Sequence, residues 1–515
     1  MNAFMNGLQN ATNLTRTENG ALTHKSTRSD LLDMFAMGGA YRKRSDEDVI
    51  LMFRKAFAEN PVYALKCLFY LRDVRGGQGE RRFFRVAMKE QATNANTVQA
   101  ARRNIRNIPM YGRWDDLYIF VGTPLEKDAF AFIKEQLALD VQSKTPSLLA
   151  KWLKSENTSS AESRALAGKT RRYLGMTHRE YRKTLSILRT RINVLEKLMS
   201  AGKWDEIEFD KIPSRAGMIY KNAFARHDLE RAKSEKPVQT YAEFAKDETK
   251  TVNAKVLYPY ECVAEAIKMI PRNFSWYRSG SASSDLPPIN DTNRLMVNKY
   301  WANLADYFND ATFNGLAVVD TSGSMVGSEP SAPINVAISL GLYCAEKAKG
   351  PFAGHYVSFA SRPQLISTEG VDFVDKVYRI YKTNLVDNTN IEATFDLLLN
   401  IAIQNRCKQE DLPQNVIVIS DMEFDSARGY YGRGADTHTL MENIERKWLA
   451  HGYQIPNLVF WNVACRHDNI PMTVKDGVSF VSGFSPSIFQ QIMSGKTAMD
   501  LMFEVLDSER YAAIH

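Results

Sequence analysis

Asp320, Ser322 and Ser324 alternate in the stretch Asn314-Gly-Leu-Ala-Val-Val-Asp-Thr-Ser-Gly-Ser-Met325. One carboxylate and two hydroxyls at i, i+2 and i+4 offer hard oxygen ligands converging on one point. That suits Mg²⁺ or another divalent cation and leaves room for water or a partner's oxygen. Leu316 to Val319 is an apolar, β-branched run between Gly315 and a polar turn, the pattern of a buried strand. The three polar residues therefore follow a strand's carboxyl end, where open α/β sheets bind ligands. A polar loop, Asp387-Asn-Thr-Asn-Ile391, adds the hydroxyl of Thr389, and a second apolar run, Asn415-Val-Ile-Val-Ile-Ser420, ends at Asp421. Asp320, Ser322, Ser324, Thr389 and Asp421 together form a candidate metal site. Asp is also common as a plain turn or cap residue; the order of the three segments is what favours the metal reading.

These residues resemble the metal-ion-dependent adhesion site of a von Willebrand factor A domain. Competing motifs fail. A haloacid-dehalogenase-type phosphotransferase needs a second Asp where Ser322 stands, and an aspartic protease needs Gly directly after Asp-Thr or Asp-Ser. Gly168-Lys-Thr170 and Gly495-Lys-Thr497 end like phosphate loops, but Ser163 and Gln490 occupy the position of the earlier glycine.

The elements that must position such a site come from a chain of 515 residues, long enough for two to four domains. Five widely spaced cysteines (67, 262, 344, 407 and 465) argue against a disulfide scaffold or structural zinc and fit a reducing compartment. The amino terminus has no signal-peptide pattern and no apolar run is long enough for a membrane span, so a cytoplasmic protein is expected. Charge divides the chain. Residues 314–515 carry 16 Lys/Arg against 23 Asp/Glu, net −7; by difference residues 1–313 carry 50 against 36, net +14. A basic module beside an acidic metal domain suggests a polyanionic partner.

Residues 1–30 are polar and loop-like, flexible or draped over a neighbour. From Ser45, an N-cap with Asp48 three residues on, short helices follow one another, separated by Asn60-Pro61 and by the glycine turn Arg72-Asp-Val-Arg-Gly-Gly-Gln-Gly-Glu-Arg-Arg82. Such a succession over 31–277 reads as an irregular helical-repeat array. Residues 278–312 supply a linker, clearest at Ser279–Pro288, and a connecting helix. From 313 to 515 strands and helices alternate as in a doubly wound parallel sheet, and Arg428-Gly-Tyr-Tyr-Gly-Arg-Gly434 is a mobile-looking loop near the metal face.

Residues 151–236 are the most basic, 20 Lys/Arg against 11 Asp/Glu. Lys169, Arg171, Arg172, His178, Arg179, Arg182, Lys183, Arg189 and Arg191 spread over two helices, with Arg182 and Arg189 seven apart on one face and Leu185, Leu188, Ile192 and Leu195 on the other. A cationic helix face can hold phosphates, and Trp152, Tyr173 and Tyr181 could stack bases. For any single Lys or Arg, a solvated surface position is an equal reading.

Basic helices followed by an A domain resemble the TROVE module of the Ro autoantigen family, in a bacterial or phage branch. The landmarks are Leu68-Phe-Tyr-Leu-Arg-Asp-Val-Arg-Gly-Gly-Gln-Gly-Glu80, Tyr111-Gly-Arg-Trp-Asp-Asp116, Lys151-Trp-Leu153, Tyr181-Arg-Lys183 and Ile212-Pro-Ser214. The resemblance implies HEAT-like helices in a ring closed by the A domain, and binding of small structured noncoding or misfolded RNA. The expectation is a monomeric RNA-binding protein, not an enzyme, with the metal site structural or open to an acidic protein partner. The alternative is an interaction scaffold that binds a partner carboxylate through Mg²⁺ without RNA. A metal-dependent nuclease is disfavoured because hydroxyls outnumber carboxylates among the expected ligands.

Overall fold

The computed structural model describes residues 13–234, 238–270, 286–308, 313–359, 362–383, 386–426, 438–492 and 496–515. The chain is mostly helical, with a six-stranded mixed sheet in its carboxyl-terminal part. The strands are β1 (Leu14–Arg16) and β2 (Leu22–His24), which form a separate hairpin, then β3 (Gly315–Asp320), β4 (His355–Phe359), β5 (Gln364–Ser367), β6 (Asn415–Ser420), β7 (Asn457–Asn462) and β8 (Val478–Ser482). The main sheet runs β5-β4-β3-β6-β7-β8.

β4, β3, β6, β7 and β8 are mutually parallel, but β5 lies antiparallel to β4. This corrects the all-parallel expectation. Only residues 360–363 join β4 to β5, and a parallel return needs a crossover of roughly a dozen residues or more. The chain progresses outward from β3 in one direction and from β6 in the other, so the crevice at the carboxyl ends of these two strands is the topological switch point.

The helical part follows local signals. Ser45 and Asp48 form a capping box, and Asn60 caps a helix whose first residue is Pro61. In the turn after that helix, a Cβ on Gly77 would stand 2.0 Å from the Tyr70 carbonyl oxygen, and Gly79 has φ +64°. Both positions need glycine. The Ser279–Pro288 linker falls largely outside the described residues, as does the Arg428–Gly434 loop.

The helical part meets the α/β part at both ends, within one continuous apolar core running from Ala21 to Ile514. Helix Asp30–Met37 lies on β8, and Arg42 caps the Phe484 ring at 3.7 Å. Helix Pro259–Ile267 packs on helices Pro333–Lys347 and Phe373–Thr383, and Arg294 pairs with Asp372 at 2.7 Å. Within the helical part, Tyr258 Oη donates to the Gln78 carbonyl at 3.2 Å, 180 positions earlier in the chain. The chain's last residues return to the first helices: Tyr511 stacks on Tyr111, its hydroxyl donates to the buried Asp73 at 3.0 Å, and Arg510 Nη2 donates to Asp73 at 2.6 Å. All five cysteines are free thiols, and no described helix is long and apolar enough to cross a membrane.

An ion-pair network orders the first helices. Arg72 and Asp116 are both buried and meet at 2.6 Å, while Arg85 Nε and Arg81 Nε reach the other Asp116 oxygen at 2.8 and 3.3 Å. Asp116 also accepts from the Arg113 backbone N–H at 3.0 Å, which caps the following turn. Burial would raise the Asp116 pKa, but the charges of Arg72 and Arg85 overcome it and hold the carboxyl at about 2. A depressed carboxyl contributes stability above its unfolded value of about 4 and loses it as pH falls toward 2. Asp116→Asn leaves Arg72 buried without its counter-charge, and denaturant unfolding at pH 7 should show a loss of about 3–5 kcal/mol. The deficit should shrink between pH 4 and 2; a loss below 1 kcal/mol would contradict this role.

Candidate metal centre and basic helix face

Parallel pairing sets β3 beside β6 with Val319 opposite Ile419, so both strands end at the same level. Asp320, fully buried, accepts from Ser420 Oγ at 2.5 Å and from the Ser322 backbone N–H at 2.8 Å. Ser322 is extended, with φ −66° and ψ 164°, ahead of a single turn over Gly323–Met325. That geometry sets its hydroxyl 3.1 Å from Ser324 Oγ. Asp421 is buried and takes Arg466 Nη2 at 3.2 Å, and the nearby Ser324 hydroxyl acts to lower its pKa.

Three of the five expected ligands, Asp320, Ser322 and Ser324, are thus linked directly, with Asp421 close by. The fifth, Thr389, is buried on an adjoining loop. That loop touches the serine turn where the Gly323 N–H donates to the Asp387 carbonyl at 3.3 Å, and the Thr389 hydroxyl accepts from Asn19 Nδ2 at 3.4 Å.

Burial, and then the nearby negative charge of Asp421, push Asp320 up to about 7. Burial raises Asp421 as well, against the opposing charge of Arg466. Two buried carboxylates that disfavour each other's ionisation, beside two hydroxyl oxygens, are a donor set of the kind hard dications take.

Several residues at this face carry no signal in the ligand motif. Ser420 ends β6, and Arg466, His467 and Asn469 follow β7. Glu423, wholly buried, accepts from the Glu18 backbone N–H at 2.6 Å, His467 Nδ1 at 3.0 Å and Asn469 Nδ2 at 3.1 Å. The polar run Arg466–Asn469 after an apolar strand was a usable signal; the amino-terminal hairpin was not. Of the two readings of residues 1–30, the described part supports draping. Thr17 Oγ1 donates to the Phe424 carbonyl at 2.6 Å, Asn19 Nδ2 to the Glu423 carbonyl at 2.6 Å, and Gly20 bridges Asp425.

The nine basic residues divide. Lys169 binds Glu126 at 2.8 Å, while Arg171 and His178 share Glu156 at 3.0 and 2.9 Å. Arg189 turns inward, donating to the carbonyls of Ala150 and Leu153 at 2.8 Å and to Ser155 Oγ at 2.9 Å. Arg191 donates to the Val141 carbonyl at 2.8 Å. This corrects the pairing of Arg182 with Arg189 on one cationic face. Arg172, Arg179, Arg182 and Lys183 remain exposed, with no carboxylate partner among the described residues. Arg179, Arg182 and Lys183 stand at i, i+3 and i+4 on helix His178–Arg191 and share one face.

The aromatic residues are also committed. Tyr181 is fully buried and donates to the Lys154 carbonyl at 2.8 Å, Tyr173 stacks on Phe130 at 4.3 Å, and Arg113 covers Trp152 at 4.1 Å. Ile192 is only partly buried because the helix ends at Arg191.

The raised Asp320 carboxyl has a stability consequence. Its folded pKa lies above the unfolded value of about 4, so its contribution is complete below that value and is lost as pH rises through about 7. Without added metal, Asp320→Asn should raise Tm by several degrees at pH 8 and change it little at pH 4. Calorimetric melting at the two pH values checks this; a destabilised variant at pH 8 would contradict it.

Comparison with known proteins places the chain. A family model described as a domain of unknown function, DUF2828, matches residues 17–107 and 135–312, and a second so described, DUF7788, matches 314–511. Neither description names an A domain or an RNA-binding module. Uncharacterized protein L728 of Acanthamoeba polyphaga mimivirus is 30% identical over 534 residues, covering 96% of this chain and 87% of its own. Among solved structures, the Deinococcus radiodurans Ro (RSR) protein aligns over 94% of this chain and 100% of its own, at 14% identity and a TM-score of 0.41. By the match across its helical part and the full-length viral relative, the chain belongs to the DUF2828 family.

Proposed function

We propose that this is an RNA-binding protein that holds phosphates on the outer face of helices Ala161–Leu174 and His178–Arg191. The observation that carries the reading is the set Arg172, Arg179, Arg182 and Lys183, four exposed cations without carboxylate partners among the described residues. Unpaired cations on one face are free to exchange counterions for phosphates. The opposite net charges of residues 1–313 and 314–515 favour a polyanion on the helical side. Recognition is by backbone and shape, because the nearby aromatics are packed or covered and offer no free stacking platform. The ligand class is small structured RNA or the single-stranded end of misfolded RNA, bound by a cytoplasmic monomer whose helices form a HEAT-like ring closed by an A-type domain.

At the α/β face, Asp320, Ser322, Ser324, Thr389 and Asp421 would hold Mg²⁺ or a similar dication. The donors are hard oxygens, and a dication would neutralise two carboxylates that otherwise oppose each other. The role is binding rather than catalysis. Asp421 is already engaged by Arg466, and the remaining candidate ligands are mostly hydroxyls, whereas metal hydrolases gather several carboxylates.

The test is binding of a structured RNA with a single-stranded 3′ tail across a salt series. The expected result is a steep fall in affinity with salt, and a log–log slope smaller by about 2 in Arg179→Glu/Arg182→Glu, from two lost phosphate contacts. Lys169→Ala, which removes a cation already paired with Glu126, should change the slope little. No binding at low salt, or a double variant that binds like the parent, would overturn the RNA reading and leave a metal-linked protein scaffold in its place.

A further inference from the structure

We propose that Arg466 is the resident counter-ion of Asp421: it supplies positive charge there when no dication is bound, and turns wholly onto Glu18 when one binds. The inference rests on the dication reading above and concerns what sets affinity at that site.

The guanidinium of Arg466 is divided between two carboxylates. Its Nη1 pairs with Glu18 Oε2 at 2.6 Å and its Nη2 with Asp421 Oδ2 at 3.2 Å. Its Nε is buried and has no hydrogen-bond partner among the described residues. Neither carboxylate receives the two-pronged fork that a guanidinium favours. The two contacts are also unequal. Bonds from a charged N–H to a carboxylate run at roughly 2.7–2.9 Å, so the Asp421 contact is long and the Glu18 contact close. Asp421 is the partner that yields.

The surroundings favour the exchange. Burial raises the Asp421 pKa, and the charge of Arg466 is the largest influence opposing it. A dication at Asp320 and Asp421 would neutralise the same carboxylate with two charges and would repel a guanidinium that shared it. The Arg466 and Glu18 side chains are 36% and 48% exposed, so they can re-pair with each other, whereas Asp421 is buried just past the end of β6. The Glu18 backbone N–H stays bonded to Glu423, and Asn19 Nδ2 to the Glu423 carbonyl, both at 2.6 Å. These bonds keep the Glu18 carboxylate within reach of Arg466 throughout.

Two residues that touch each other then act in opposite directions. Arg466 weakens dication binding by competing for Asp421. Glu18 strengthens it by drawing Arg466 away. A purely structural role for the pair would make either substitution weaken binding.

The test is the Mn²⁺ affinity of the full chain, read from the electron paramagnetic resonance signal of free Mn²⁺. Arg466→Gln should bind about tenfold tighter than the parent and Glu18→Gln about tenfold weaker, the lower end of outer-shell effects at metal sites. Arg466→Lys, which keeps the charge, should bind no tighter than the parent. Ser324→Ala, which removes an expected ligand, should weaken binding in the parent and in Arg466→Gln alike. Glu18→Gln changes an exposed side chain and keeps the fold, so its result stands even if Arg466→Gln does not fold. Unchanged or weaker binding in folded Arg466→Gln, or unchanged or tighter binding in Glu18→Gln, overturns this inference and leaves the dication reading in place. No Mn²⁺ binding in any of these proteins, or binding indifferent to Ser324→Ala, overturns the dication reading and this inference with it.

Discussion

Asp320 and Asp421 end up side by side because β3 and β6 are parallel neighbours that stop at the same level, and each makes the other's charge more costly. Much of the local architecture answers that constraint. Ser420 and the Ser322 N–H serve Asp320; Arg466 serves Asp421. Arg466 passes the charge on to Glu18, which lies in the amino-terminal hairpin. A like-charge pair at a topological switch point thus recruits the turn after β3, the segment after β7 and the start of the chain into one polar face.

The helical part meets a related problem differently. Arg72 and Asp116 are buried as opposite charges, with Arg81 and Arg85 completing the carboxylate's hydrogen bonds. Asp73, next in sequence to Arg72, is reserved for Arg510 and Tyr511 from the chain's end. Removing one member of such a network leaves an uncompensated buried charge, so the first helices and the carboxyl terminus depend on each other. Tyr258 reaches Gln78 and Pro259–Ile267 packs on the α/β helices, while Arg179, Arg182 and Lys183 of helix His178–Arg191 are exposed to solvent.

What was legible in the sequence was local. Ser45 with Asp48, Asn60 with Pro61, and the apolar runs of β3 and β6 all signal through near neighbours. So does Asp-x-Ser-x-Ser, because a strand end followed by an extended turn places alternate side chains together. The direction of β5 was readable from its short connection to β4, and the alternation of elements masked it. Three things were not readable. Free and paired cations look alike in composition, so Lys169, Arg171 and Arg189 counted as phosphate ligands although the fold uses them on Glu126, Glu156 and backbone carbonyls. The aromatics near them looked available and are packed. And the partners of Glu423 come from residue 18 and from residues 467 and 469, which no local pattern connects.

The proposal that the carboxylate pair and its serines are built around a cation is open to direct test. The most direct measurement is anomalous X-ray diffraction from crystals grown with millimolar Mn²⁺. A peak bonded to oxygens of Ser322, Ser324 and at least one of Asp320 and Asp421 is the predicted result. No peak at that position, with the two carboxylates still held only by Ser420, Ser322 and Arg466, would contradict it.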